Sequence, residues 1–384
     1  MGTLEIGVSG LRAAQIGLST TGHNITNAAT PGYHRQEIAQ SANTPLSTGA
    51  GFIGTGVNVE AIKRVYDAFL DRQVQTAQTQ SSYLDAYSAQ ISQINNMVAD
   101  PSSGLSPALQ EFFQGVHDVA ANPASVPSRQ SMISSAEALA TRFHTLNQRF
   151  EEIRDGVNYQ VTASVSMINS YARQIAELNS RIVIAQAGST GSPNDLLDQR
   201  DNLIAELNKE INVSVVKQSD GSYNVSMGKG QALVVGNLAY TLAAQPSLDD
   251  PSRIDVGYQS WSGQVSFIRQ DSLDSGNLGG LLAFRSESLD AAQNALGRIA
   301  IGLAQTMNDQ HRLGQDLNGD LGGSLFNVMG PGGVTGAYSV PSGKVVARVN
   351  NSDLTPAGLP AVTLSDVSKV TTSDYTLAYS ATGY

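Results

Sequence analysis

The sequence predicts an α+β multidomain protein: an elongated long-helix bundle with inserted, mainly antiparallel β domains. Three observations carry this expectation. Leu139, Phe143, Leu146, Phe150, Ile153 and Val157 alternate steps of three and four, and the same seam continues through Val161, Val165, Ile168, Ala172, Ile175 and Ile182. That spacing lays one apolar stripe along a helix. Between 213 and 272 the period falls to two, with turn signals such as Asp220-Gly221 between the runs, which reads as short strands. Helical spacing then returns over 276–313, so the strands read as an insertion within a helical domain.

Taken in order, the first element is a helix. Leu4, Val8, Leu11, Gln15, Leu18, Gly22 and Ile25 fall at alternating steps of four and three, a heptad-like seam. Ala13, Ala14 and several Gly and Ser residues keep the rest of its surface slim. A helix of about six turns is marginal alone in water, so its stripe needs a surface to meet. Asn24 and Asn27 suit a helix end, and Thr30-Pro31-Gly32-Tyr33 suits a type II turn, with Pro fixing φ and Gly supplying φ > 0. The alternative is an ordinary N-terminal helix packed on its own domain.

An extended stretch rich in Gly, Ser and Thr follows. Gly49 to Gly54 formally spells GxGxxG, but a dinucleotide fingerprint needs a strand before it, a helix after it and an acid about twenty residues on. The region reads as loop and hairpin. Residues 59–212 read as mostly helical. Leu84, Tyr87, Ile91, Ile94 and Val98 mark one helix that Asp100-Pro101 closes. A shorter helix from about Ser106 carries Leu109, Phe112, Phe113 and Val116 and ends before Asn122-Pro123. The long seam helix comes next and spans about 75 Å if roughly 50 residues long. Gly188 to Pro193 breaks it, and a helix through Leu196, Leu197, Leu203, Leu207 and Ile211 runs back. After the β stretch, Leu281, Leu282, Phe284, Leu289, Leu296, Ile299, Leu303 and Met307 supply apolar helix faces, and strand signals resume after about Leu325. The expected division is therefore 1–58, an N-terminal assembly helix and extended linker; 59–212 with 274–325, a helical bundle domain; 213–273, an inserted β domain; and 330–384, a second, incomplete β domain.

Composition narrows the function. The 384 residues carry a net charge of −10, which disfavours a general grip on nucleic-acid phosphates. Only 15% of residues are charged, against roughly 25% in ordinary globular chains. A surface rich in small polar residues can bury against neighbours without stranding charge. Cysteine is absent, which removes disulfides, thiolate metal sites and Cys nucleophiles. No apolar run reaches the roughly 18 residues that a membrane-spanning helix needs. The N-terminus lacks a cationic start followed by an apolar run, so no cleavable signal is visible.

Candidate chemistry is thin. Asp316-Leu-Asn318-Gly-Asp320 resembles the start of a calcium loop, yet Leu321 stands where that loop needs Gly and Asn327 where it needs Glu. A polar turn is the better reading. Asp195, Asp198 and Asp201 sit every three residues near a helix start and suit the positive end of its dipole, with Arg200 free to pair with a neighbour. His23, His34, His117, His144 and His311 form no HExxH and no close pair; local hydrogen bonding explains the first two. Glu151, Glu152, Arg154 and Asp155 read as a solvated helix face. No catalytic, cofactor-binding or metal-binding set is assigned, and no cofactor is expected.

The N-terminal stretches Ser9-Gly-Leu-Arg-Ala-Ala-Gln, Thr21-Gly-His-Asn-Ile-Thr-Asn and Thr30-Pro-Gly-Tyr resemble those of the flagellar axial proteins, the family of rod, hook and hook-associated subunits. Gly56 to Asp67, Asn194 to Asp201, Gly314 to Phe326 and Ser373 to Leu377 narrow the likeness to the hook-associated group at the hook–filament junction. The resemblance covers nearly the whole chain. It implies a structural, non-enzymatic subunit outside the cell, exported through the flagellar channel without a cleavable signal. Implied partners are the hook protein, a second junction protein and further copies in a ring-like zone, with no nucleic acid and no membrane. Family members return at their C-terminus with long helices that pair with the N-terminal ones, and that part also implies a cytoplasmic export chaperone. The present sequence stops at Tyr384 within a segment that reads as strand, so the resemblance implies a truncated chain. The assembly interface it implies is Leu4, Val8, Leu11, Leu18 and Ile25 as the inner seam, with Asn24, Asn27, Pro31, Gly32 and Tyr33 shaping the linker. Hook, rod or second junction protein, or a secreted adhesin on a helical stalk, are the alternatives.

Overall fold

A computed structural model describes residues 3–49, 51–98, 104–188, 191–328, 339–340, 369 and 371. The chain is α+β and divides into two compact units. The first comprises Met1–Leu84, Ser164–Ala243 and Val256–Gly279; the second comprises Asp85–Ala163, Ala244–Asp255 and Gly280–Tyr384. Both units thus draw on the helical parts 59–212 and 274–325, and residues 244–255 fall in the second unit. The expected second β domain, 330–384, lies outside the described residues except for four positions.

The first unit opens with α1 (Thr3–Thr26). A β-ribbon follows, in which β1 (Gln36–Ala42) pairs antiparallel with β4 (Val57–Arg64). Between them, β2 (Leu46–Thr48) and β3 (Gly51–Ile53) form a hairpin whose turn holds Gly49. The GxGxxG stretch is thus a hairpin, as its surroundings suggested. The strand signal of Val57 and Val59 carries on to Arg64, six residues past the expected boundary, and helix begins only with α2 (Ala68–Val98).

The long helix is α4 (Val126–Gly188), 63 residues against the roughly 50 expected from its seam. Its periodicity was a faithful guide to burial. Leu139, Phe143, Val157, Val161, Ile168, Ala172, Ile175 and Ile182 are fully buried, and Leu146, Phe150 and Val165 nearly so. The first unit also holds α5 (Asn194–Glu210), and two small sheets follow it in the chain. One has the order β5-β6-β7-β8, built from Val213–Lys217, Tyr223–Met227, Gln231–Val235 and Leu238–Ala239. The other has the order β11-β10-β9, built from Val265–Phe267, Ile254–Gln259 and Leu242–Pro246. On α5 the sequence misleads. Leu196, Leu197 and Leu203 are only half-buried, whereas Asn194, Asp198, Arg200, Asp201 and Asn208 are buried.

The second unit holds the N-terminal part of α4, α3 (Leu105–Ala121), α6 (Gly276–Ala283) at its end, a π-helical turn (Phe284–Leu289) and α7 (Asp290–Arg312). Arg154, expected in solvent with Glu151, Glu152 and Asp155, is buried and pairs with Asp290 at 3.0 Å. Arg253 closes the same network on Asp290 and Asp250, both at 3.2 Å. Only the long-range acid made this side chain part of the interior. The expected calcium-like stretch is a small turn: Asp316 Oδ1 accepts the Asn318 and Asp320 N–H groups at 2.8 and 2.9 Å. Just beyond it, Asn308 takes both backbone groups of Phe326, and the Phe326 ring meets Phe112 edge-on at 5.6 Å.

Phe143 tests this core. Phe143→Ala removes a fully buried ring and is expected to destabilise by about 3–5 kcal/mol. The check is a lower denaturant midpoint for the second unit's transition.

Candidate assembly site

Helix α1 has two different faces. Ser9, Ala13, Ile16, Gly17 and Thr20 lie toward the ribbon. Ser9 Oγ accepts the Val57 N–H at 3.2 Å, and a Cβ on Gly17 would stand 3.4 Å from Ile38 Cδ1. This small-residue face lets two-stranded backbone lie close to the helix. Gly56, at φ 104°, packs against Ser9 where a side chain would collide. The opposite face carries Leu4, Val8, Leu11, Leu18 and Ile25, exposed by 81, 40, 73, 76 and 70%. The heptad-like seam is therefore unused within the described chain, and the ribbon takes the other side.

The linker residues do local work. Tyr33 N–H bonds Thr30 O at 3.2 Å and Gly32 has φ 75°, which is the type II turn expected from Pro31-Gly32. Asn24 imitates a strand. Its Nδ2 donates to Gln36 O, and its Oδ1 accepts Gln36 N–H, both at 2.8 Å. The same oxygen accepts the Tyr33 hydroxyl at 2.7 Å. One side chain thereby closes the excursion from helix to strand. Asn27 is more local, with Nδ2 donating to His23 O at 3.1 Å. Asn24→Ala strands two backbone groups and a hydroxyl, so a loss of about 1–3 kcal/mol is expected. Urea titration followed by hydrogen exchange of β1 amides measures it.

What fixes this segment to the rest of the first unit is a ladder of carboxylates on α5. Asp195, Asp198 and Asp201 recur every three residues and all receive basic groups from the N-terminal segment, Asp198 two of them. His23 Nε2 stands 3.3 Å from Asp195. His34 Nδ1 stands 2.8 Å from Asp198 Oδ1, and its backbone N–H bonds Asp198 Oδ2 at 3.1 Å. Arg64 Nη1 spans Asp198 and Asp201 at 2.6 and 2.8 Å. These last three side chains are each less than a tenth exposed. Amides complete the joint: Asn194 donates to Ile62 O at 2.9 Å, and Gln36 Nε2 donates to Asp195 at 3.0 Å. Gly32 presses on the next turn, where an added Cβ would lie 2.8 Å from Asn202 Cβ.

Electrostatics follows from burial. Burial disfavours the charged Arg64 guanidinium, but its bonds to Asp198 and Asp201 outweigh that and hold its pKa above the ordinary arginine value. For Asp201 burial dominates and pushes the carboxyl up, although Arg64 pulls the other way. Arg200 takes no part in the ladder. It is fully buried, its guanidinium stacked 3.3 Å over the Tyr223 ring and bonded to Asn179 Oδ1 and Gly221 O. Burial lowers its pKa. The expected role for the three aspartates, complementing a helix dipole, thus misses their main partners. The local hydrogen bonding expected of His34 gives way to Asp198, 164 residues away, and Arg64, Gln36 and Asn194, which carried no expected contact, also find partners more than 130 residues away. One signal was present: polar residues 194, 198, 201 and 208 repeat with helical spacing, which marks a polar face turned inward.

Fold and site together define an α+β protein whose anchored N-terminal helix offers an open apolar face. A model of the flagellar hook-associated protein FlgK helical domain matches residues 91–326, and the chain belongs to that family. Flagellar hook-associated protein 1 of Salmonella typhimurium strain LT2 is 40% identical over 379 residues, 98% of this chain and 66% of that protein. The protein of the same description from Escherichia coli K12 is 39% identical, over 97% of this chain and 65% of its own length. Among solved structures, the flagellar hook junction protein FlgK from Burkholderia pseudomallei superposes with a TM-score of 0.63 at 42% identity, covering 67% of this chain and 47% of that one. The chain thus spans just under two thirds of the length of the curated relatives from Salmonella and Escherichia coli.

Proposed function

We propose that the chain is a structural subunit of the bacterial flagellum that joins hook to filament, with α1 as its assembly element. The observation that carries this reading is the division of labour on α1. The ribbon occupies the small-residue face, while five apolar residues at heptad-like spacing stay exposed. A stripe of that kind suits a second helix. The names of the relatives, hook-associated protein 1 and hook junction protein, agree with it. The proposed partners are the hook protein, the second junction protein and further copies in a ring-like zone, with an export chaperone in the cytoplasm. The proposed location is extracellular, after export without cleavage, and the proposed role is non-enzymatic. No helix among the described residues is long and apolar enough to cross a membrane.

Deleting the gene, imaging cell-surface hooks by electron microscopy and assaying flagellin in the medium tests the reading. Bare hooks with flagellin lost to the medium, restored by the wild-type gene, are expected. Normal filaments would overturn it and favour the adhesin alternative.

A further inference from the structure

The β2–β3 hairpin presents apolar side chains to solvent. Its register sets Leu46 opposite Ile53 and Ser47 opposite Phe52. Opposed residues share a face and successive residues alternate. Leu46 and Ile53 therefore form one apolar pair, and Phe52 points to the other side. All three are more than half exposed. Between Glu37 and Glu60 no residue is charged, although 15% of the chain is. Exposed strands are ordinarily guarded by charge, Lys above all, and here that guard is missing. The hairpin strands pair with each other, while α1 packs on β1 and β4. A two-stranded hairpin is marginal alone in water.

We propose that the Leu46–Ile53 face of the hairpin docks on the α1 seam of a second copy of this chain, between Leu18 and Ile25. The seam matches the hairpin in character: its apolar positions are exposed, and Gln15 and Gly22, which complete its spacing, are uncharged. A strongly charged partner would find nothing in the hairpin to pair with. The match in size is also close. A three-residue strand spans about 10 Å, and Leu18 to Ile25 spans about 10.5 Å along the helix. Gly22 leaves a notch between them, with open space where a Cβ would stand. The chain's own hairpin is kept from its own seam, because the ribbon that carries it lies against the opposite, small-residue face of α1. Between copies the two surfaces can meet. Hairpin on seam is a head-to-tail contact, so each copy keeps one surface for the next and the contact propagates into a ring or a helix. The N-terminal part of the seam, Leu4 to Leu11, stays available to a helix. The contact's place in a flagellum rests on the preceding reading; the contact itself does not.

The chain has no cysteine, so disulfide trapping reads the contact directly. Purified intact chains carrying Ile53→Cys are mixed with chains carrying Leu18→Cys and mildly oxidised. The mixed disulfide is expected to form about tenfold or more faster than either homodimer, the advantage that a docked pair's effective concentration confers. Ser19→Cys in place of Leu18→Cys, exposed but off the seam, should lose the advantage. Leu46→Asp on the Ile53→Cys chain should lose it too, whereas Phe52→Asp, on the other face, should keep it. These side chains are exposed, so the substitutions leave the fold intact, which the denaturant midpoint checks. A mixed disulfide no faster than the homodimers, or a preference for Leu18→Cys chains to join each other, sinks the idea. Either outcome leaves the junction reading to its own genetic test, and failure of that test leaves the trapped contact standing.

Discussion

Arg64→Leu will loosen the N-terminal segment from α5 by about 3–5 kcal/mol, the cost of removing one partner from a buried ion pair. The magnitude comes from what remains. Asp198 and Asp201 would stay within a cluster less than a tenth exposed, with no guanidinium between them. His34 still reaches Asp198, but among the described residues no other basic side chain is bonded to Asp201. Hydrogen exchange reads the effect as lost protection over 35–64, while α4 amides near Ile168 keep theirs. A companion variant separates pairing from packing. Replacing the whole group, Arg64→Leu with Asp198→Asn and Asp201→Asn, removes the stranded charges and should recover most of the loss. If the triple variant is as loose as the single one, the ladder holds the segment by shape and not by charge.

The single variant also carries a pH signature. Burial already raises the Asp201 carboxyl against the pull of Arg64. Without Arg64 that pull is gone and the carboxyl rises further. The docked state then binds a proton that the released state lacks, so stability is regained as pH falls and lost as it rises through the raised value. An Arg64→Leu chain that becomes tighter on mild acidification meets the expectation.

How much of this was legible in the sequence depended on the range of the interaction. The α4 seam was legible because each apolar residue announces its neighbour three or four positions away, and burial at Phe143, Val157 and Ile168 follows that rhythm. The turn at Thr30 to Tyr33 was legible because Pro31 and Gly32 fix their own backbone angles. The outward seam of α1 was visible as a pattern, but not its exposure, since spacing does not say which face finds a partner. The ladder was half legible. The spacing of Asp195, Asp198 and Asp201 is local and was noticed; His34 and Arg64 reach them across 164 and 134 residues. No local rule couples those positions. Arg154 shows the same limit, since a basic residue beside Glu151, Glu152 and Asp155 reads as solvated until Asp290 arrives from another helix. Charged residues that end up buried are placed by tertiary partners, so sequence periodicity registers them only as interruptions.

The open seam gives the strongest functional prediction. Leu11 is 73% exposed, and exposed substitutions away from special features usually change stability by less than about 0.5 kcal/mol. Leu11→Asp should therefore leave the isolated chain folded, with an unchanged denaturant midpoint and intact protection in the ribbon. In an assembly that buries the seam, the same carboxylate enters a helix–helix contact with no cation matched to it. An uncompensated buried charge costs at least about 3 kcal/mol, equivalent to roughly 150-fold weaker association. Cells carrying only this variant should then show bare hooks although the protein is made and exported. Ser19→Asp, exposed on the same helix but off the 4–3 seam, places an equal charge where the stripe does not run and should be tolerated. The pair matters more than either variant alone. Equal tolerance means that α1 does not assemble through Leu11, and equal failure means that the helix refuses any added charge. Failure at 11 with tolerance at 19 is the pattern that only a buried seam produces.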